Sequence, residues 1–408
     1  MRTTLSSFVI GWSLLLLGMT ANASAQTYTV LHYFTGGNSD GATPYGSLIQ
    51  SGTSLYGLTS AGGAAGAGTL FQFDITSNSL SVLHSFSGSG DGSDPAGSLL
   101  QSGSTLYGMT QFGSTYGGSV IFGFDTASNS QHVLYAFPDG STSSGSLTQS
   151  GSLLYGFTHN SATSPDGTLF SFDPVTNAVV TLHTFTGTPD GRNPLYGSLL
   201  ASGSMLYGTT VFGGTSDPVE GGGGTLFSLN TGNNTLNILH SFAGGATDGL
   251  HPDSGVIRSG SILYGLASQG GPTNPNAGVL YAFNLADNSF QALHVFNGFD
   301  GSGPDGALVQ VGSVLYGMTT GGGRTYQQGT IFAYDTATNT YTVLHQFAGT
   351  DGSDPTGDLL VSGNTLYGMT PSGGGIFALT VPEPGSMLLL AAAGMLLWYT
   401  GKMRSRQS

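Results

Sequence analysis

Apolar and polar positions alternate along this chain in short runs, and the runs recur. Aromatic side chains stand two apart at Phe71 and Phe73, Phe122 and Phe124, Phe170 and Phe172, Tyr281 and Phe283, and Phe332 and Tyr334. After Phe227 and Phe377 the second aromatic is Leu. A period of two places each pair on one face of a β-strand. Upstream of every pair lies a Leu-Tyr-Gly triplet, with Tyr at 56, 107, 155, 207, 264, 316 and 367, spaced by 51, 48, 52, 57, 52 and 51 residues. Downstream, after turns such as Asp173-Pro174-Val175-Thr176-Asn177, comes a Val-Leu-His-x-Phe segment. Its His falls at His32, His84, His183, His240, His294 and His345, and Tyr135 replaces it once. A loop containing Asp-Gly then leads to Gly-Ser-Leu-Leu, a Ser-Gly turn and the next triplet.

Each unit therefore predicts four short strands: a (Gly-Ser-Leu-Leu), b (Leu-Tyr-Gly-Met-Thr), c (Gly-Thr-Leu-Phe-x-Phe) and d (Val-Leu-His-x-Phe). Four antiparallel strands repeating at about 50 residues predict a β-propeller blade. The body opens on a d strand, 28–34, and ends on a c strand, 376–379, so the first strand can complete the last blade. This register predicts one all-β, seven-bladed ring over residues 26–380 and not an open solenoid, which would need caps.

Composition alone points elsewhere until the period is seen. With 69 Gly and 16 Pro in 408 residues, an aperiodic chain would read as low-complexity. Here Gly serves the turns and the converging inner strands. A hydrophobic content of 38% with only 7% charged residues suits sheets buried on both faces. The formal net charge is −14, and the only basic residues between 26 and 381 are Arg192, Arg258 and Arg324. Nucleic-acid binding is excluded on that ground, since phosphate neutralisation needs clustered cations. Such a surface also repels anionic polymers unless cations bridge them. Cysteine is absent, which removes disulfides, thiolate metal sites and thiol catalysis.

The ends carry addresses. Residues 1–25 read as a signal peptide: Arg2, an apolar run from Phe8 to Met19, then Ala23-Ser24-Ala25 as the signal peptidase cleavage site. A buried N-terminal helix is the alternative. In residues 381–408, Pro382-Glu383-Pro384 precedes an apolar run from Met387 to Tyr399 and then Lys402, Arg404 and Arg406. The run is short for a bilayer span, and the basic tail would stay cytoplasmic. This segment resembles the PEP-CTERM sorting signal. The resemblance implies a transient membrane anchor, processing by an exosortase, and delivery to the outer surface or extracellular matrix of a Gram-negative, polysaccharide-producing bacterium. A simple C-terminal membrane anchor is the alternative. The repeats, over about residues 28–380, resemble the GloVer-type repeat family of secreted bacterial proteins, which implies no established activity. A more distant similarity to quinoprotein propellers is opposed by the absence of a Trp repeat and of vicinal Cys.

Candidate chemistry is sparse. The d-to-a and b-to-c loops share one rim, and their variation makes it the place to seek a ligand. Arg192, Glu220 and Arg324 are the rim candidates, and Arg258, His159 and His251 also break the repeat. The repeated His is expected to be structural, bonded to backbone or hydroxyl groups, because outer strands lie far apart. The Asp-Gly residues Asp40, Asp91, Asp139, Asp190, Asp248, Asp300 and Asp351 are expected to build turns. Asp91 with Asp94, and Asp351 with Asp354, are the pairs that would take calcium if any did, without the regular spacing of a loop site. No other cofactor and no catalytic residue is assigned, for no nucleophile elbow is present. Two functions stay open: a non-catalytic binding propeller for polysaccharide or a surface protein, and a glycoside hydrolase or lyase using Asp with Arg192 or Arg324.

Overall fold

The computed structural model describes residues 26–381 except 116, 139, 161–162, 195–196, 216–221, 246 and 272–276. These residues form seven four-stranded antiparallel sheets, each with strands in the order a-b-c-d. In the first blade the strands are Gly41–Ser51, Ser54–Gly62, Thr69–Asp74 and Ser79–Ser85. The last sheet combines Leu360–Ser362, Thr365–Thr370 and Gly375–Thr380 with the N-terminal Thr27–Tyr33. The register runs from Thr27 opposite Thr380 to Tyr33 opposite Gly375. Ring closure by the first strand, expected from the sequence, is thus observed. Among the described residues no helix is long and apolar enough to cross a membrane, and the apolar tail lies outside them.

One element differs from expectation. The inner strand is three residues long in four blades but runs to ten or eleven in blades 1, 2 and 6. In those three blades strand b continues past its Thr, as at Ala61 and Gly62, and the extra backbone pairs across a register shift. Elsewhere the chain leaves the ladder at that position, Thr158, Thr210 and Thr370 in three blades and Ala267 in the fifth.

The Leu-Tyr-Gly triplet is explained by packing. Its Leu is buried in every blade, from Leu55 to Leu366. Its Gly receives the ring of the c-strand aromatic: a Cβ on Gly317 would lie 2.6 Å from Cζ of Phe332, and one on Gly57 2.5 Å from Cζ of Phe71. The same ring then meets the Phe of the preceding blade's His-x-Phe. Phe86 packs on Phe122 at 5.1 Å, Phe296 on Phe332 at 5.4 Å, and Phe34 on Phe71 at 5.2 Å, all steeply tilted. Edge-to-face pairs of this kind add about 0.5–1.5 kcal/mol each beyond area burial. Because one such pair joins each blade to the next, the core is continuous around the ring.

Candidate functional site

Each repeated His lies beside the repeated Asp of the loop that follows it. Nε2 of His32, His84, His183, His240, His294 and His345 lies 3.2, 3.2, 2.8, 2.6, 3.1 and 3.0 Å from a carboxylate oxygen of Asp40, Asp91, Asp190, Asp248, Asp300 and Asp351. The expected structural role holds, but the partner is a carboxylate and not the backbone or hydroxyl group anticipated. The Asp also folds its own loop: Asp40 accepts hydrogen bonds from the Thr35 N–H and hydroxyl, and from the Gly41 N–H. Burial alone would raise the Asp40 pKa, and these donors together with His32 outweigh it and hold it below the ordinary value. In three blades the neighbouring d strand covers the imidazole. Tyr28 stacks on His345 and Tyr341 on His294, both at 3.8 Å, and Phe290 stacks on His240 at 4.2 Å. The Tyr28 hydroxyl then donates to the Asp351 carbonyl at 2.7 Å. These latches fasten loops and join blades at the perimeter.

The calcium candidates are divided by this arrangement. Asp91 and Asp351 serve latches, whereas exposed Asp354 accepts from Ser353 and half-buried Asp94 has its pKa raised by burial. Among the described residues no group of three or more acidic or His side chains is placed to hold a metal. Asp139, Glu220, the cleavage-site residues Ala23 and Ala25, and the motif Pro382, Glu383 and Pro384 lie outside the described residues.

At the axis the inner strands converge on a collar of glycines. Gly46 has φ +78°, and a Cβ there would lie 1.9 Å from the Gly97 carbonyl oxygen, so only Gly fits. The residue after the collar glycine links blades: Asp358 N–H donates to Ser47 Oγ, Ser47 N–H to Ser98 Oγ, and Ser98 N–H to Ser146 Oγ. This hydroxyl relay occupies one side of the ring. Asp358, where the relay begins, also ends a run of acids, Asp253, Asp305 and Asp358, on three successive blades. Burial, with Asp358 close by, pushes Asp305 up to about 6. Asp253 is raised well above the ordinary range by burial and by Asp305, and Asp358 by burial. None of the three stands among the candidates named from the sequence. Their signal was the replacement of Gly-Ser by Gly357-Asp358, and the Pro-Asp pairs at Pro252-Asp253 and Pro304-Asp305. The axial cavity of about 30 Å³ holds a water or two and is too small for a sugar.

The rim offers more room. A cleft of about 270 Å³ opens between the third and fourth blades, lined by Asp166, Thr186, Gly187, Thr188, Arg192 and Gly213, among others. Arg192 enters it from the loop leading into blade 4. Its guanidinium lies 5.7 Å over the Phe212 ring, whose edge meets His251 at 4.7 Å. Two residues that break the repeat, Arg192 and His251, therefore meet the same Phe212 ring. His251 has its pKa lowered by burial. His159 stands on the preceding blade, 2.6 Å from the Thr142 hydroxyl, with its pKa pushed down to about 4 by burial. Arg324 is not part of the cleft: it is exposed in the sixth blade, its N–H bonded to Gln346. Arg258 is committed to the Gly260 carbonyl and the Ser202 hydroxyl. Among the described lining residues Asp166 is the single acid.

Fold and site together define a closed seven-bladed β-propeller with a ligand-sized cleft on its loop rim. The chain belongs to the Gloeobacter/Verrucomicrobia repeat family, whose profile matches residues 18–164 and 142–381. No curated protein matches it in sequence. Among solved structures it is similar to an oligogalacturonate lyase in complex with manganese, at 13% identity and TM-score 0.54, covering 88% of this chain and 97% of that one. An oligogalacturonate lyase from Vibrio parahaemolyticus gives 12% identity and TM-score 0.54, covering 87% and 94%. A chain of a mitotic checkpoint complex gives 12% and 0.55, covering 94% and 99%. At these identities the likeness is one of fold.

Proposed function

We propose that this protein is an exported, non-catalytic binding propeller of the cell surface or extracellular matrix, whose loop rim takes extracellular polysaccharide. The observation that carries the reading is the cleft between blades 3 and 4. It sets a cation, a carboxylate and hydroxyl groups around a space wide enough for a sugar unit, on loops held by a rigid ring. The terminal segments support the location. An N-terminal signal would bring the chain to signal peptidase, and the Pro382-Glu383-Pro384 tail would anchor it transiently until an exosortase processes it. A glycan array probed with the exported protein, with and without calcium, tests the binding. Retention of self-produced polysaccharide is the expected result, and a blank array would refute the glycan reading. Intact mass tests the export, with loss of residues 1–25 and of the tail near Pro384 expected.

A further inference from the structure

We infer that the cleft of Arg192 recognises the carboxylate of a hexuronic acid unit set among neutral sugars; the inference rests on the polysaccharide-binding reading above and specifies its ligand. Arg192 is the one of the three body arginines that lines this cleft. Its guanidinium has no hydrogen-bond or ion-pair partner among the described residues, and its Nε is buried without one. Packing over Phe212 orients it instead. A planar guanidinium fixed in this way presents paired donors suited to a carboxylate.

Asp166 narrows the ligand class. Its carboxylate lines the same cleft and likewise has no side-chain partner among the described residues, although Arg192 is near. Asp166 Oδ2 and Arg192 Cδ each lie 4.0 Å from the point a Gly187 Cβ would occupy, yet the two charged groups form no ion pair. Opposite charges that share a cleft without pairing are satisfied together by a ligand that offers both an anion and hydroxyl donors. A simple anion would face Asp166 unaided, and a neutral sugar would leave the guanidinium unpaired. A hexuronate places its carboxylate on Arg192 and its hydroxyls on Asp166 and on exposed Thr188. The acidity of the body sets a further limit: with three Arg against 20 acids between residues 26 and 381, a dense polyuronate is repelled. An isolated uronate is not.

Ligand-observed NMR and calorimetry on the exported full chain decide the matter, with methyl glucuronoside, methyl glucoside and N-acetyl-dialanine as probes. The expected result is glucuronoside binding at least tenfold tighter than glucoside binding. Arg192→Gln should abolish the preference and Arg192→Lys should weaken it several-fold, with unfolding temperatures near wild type. Asp166→Asn should weaken glucuronoside several-fold through lost hydroxyl contacts. Equal binding of the two glycosides overturns the inference, as does undiminished binding by Arg192→Lys and Arg192→Gln. Binding of the peptide carboxylate without the glucuronoside also overturns it. If arrayed polysaccharide binds but the glucuronoside does not, the inference fails and the binding reading stands. If no glycan binds at all, both fail.

Discussion

The perimeter and the rim are built from the same repeat but follow opposite rules. At the perimeter, His and Asp recur at fixed places, and the six described latches differ only by a few tenths of an ångström in length. On the rim and at the axis, neighbouring blades place different groups at equivalent positions: Ser47, Ser98 and Ser146 in three blades, Ala307 and Asp358 in two others. Repetition at the outside is what lets blades pack in one geometry and close. Departure from it at the rim then costs little, because loops and channel residues take no part in the blade-to-blade aromatic contacts. In this ring a repeated polar residue marks scaffold, however catalytic a His-Asp pair looks in isolation.

The largest effect is expected where the repeated packing itself is disturbed. Gly317→Ala drives a Cβ into the Phe332 ring and is expected to cost about 3 kcal/mol, the upper end for an overpacked core. Denaturant unfolding measures it, and a loss below about 1 kcal/mol would show that the aromatic can yield.

Next in size is the acid response of His159. The unfolded His titrates near 6.5 and the folded one near 4. Between those values the unfolded chain binds more protons, so stability falls as pH drops from 6.5 to 4, by roughly 2–3 kcal/mol. In pH-dependent melts, His159→Gln should flatten that limb, and an unchanged slope would contradict the assignment.

The latch comes third. His294→Ala and Asp300→Asn, with side chains about four-fifths buried, are each expected to cost about 2 kcal/mol. The double variant should cost less than their sum, with a coupling of about 1 kcal/mol. Strict additivity would mean that the two groups are neighbours without being partners.

Smallest, and opposite in sign, is Asp305→Asn. The folded carboxyl titrates near 6 and the unfolded one at 3.8, so in that window stability is lost as pH rises. Replacing it should stabilise the protein at pH 7 by about 1–2 kcal/mol, discounted because the group borders the channel. The gain should vanish near pH 4. Destabilisation at pH 7 would mean that the axial carboxylates are held by a ligand and are not a cost.

Much of the fold was legible because the repeat is written in residues with restrictive geometry. Leu-Tyr-Gly reports a buried Leu and a Gly against which a ring packs, and the d strand at one terminus with a c strand at the other reports closure. The site was legible only in part. Arg192 and His251 stood out as departures from the repeat. Asp253, Asp305 and Asp358 did not, because an Asp in a Gly-rich, Asp-rich loop looks like one more turn residue. His and Asp were both seen, yet as separate features, since a separation of six to eight residues carries no sign that the loop folds back.

The sequence by itself determined the blade, the number of blades and their closure, because period and terminal register are one-dimensional properties that hydrophobic burial must obey. Tertiary structure alone decided which polar groups meet. His found Asp, the axial hydroxyls formed a relay broken by carboxylates, and Arg192 came to share a cleft with Asp166 from the neighbouring blade without pairing to it. Those encounters depend on where loops of adjacent blades converge on a curved ring, and no spacing along the chain encodes that distance.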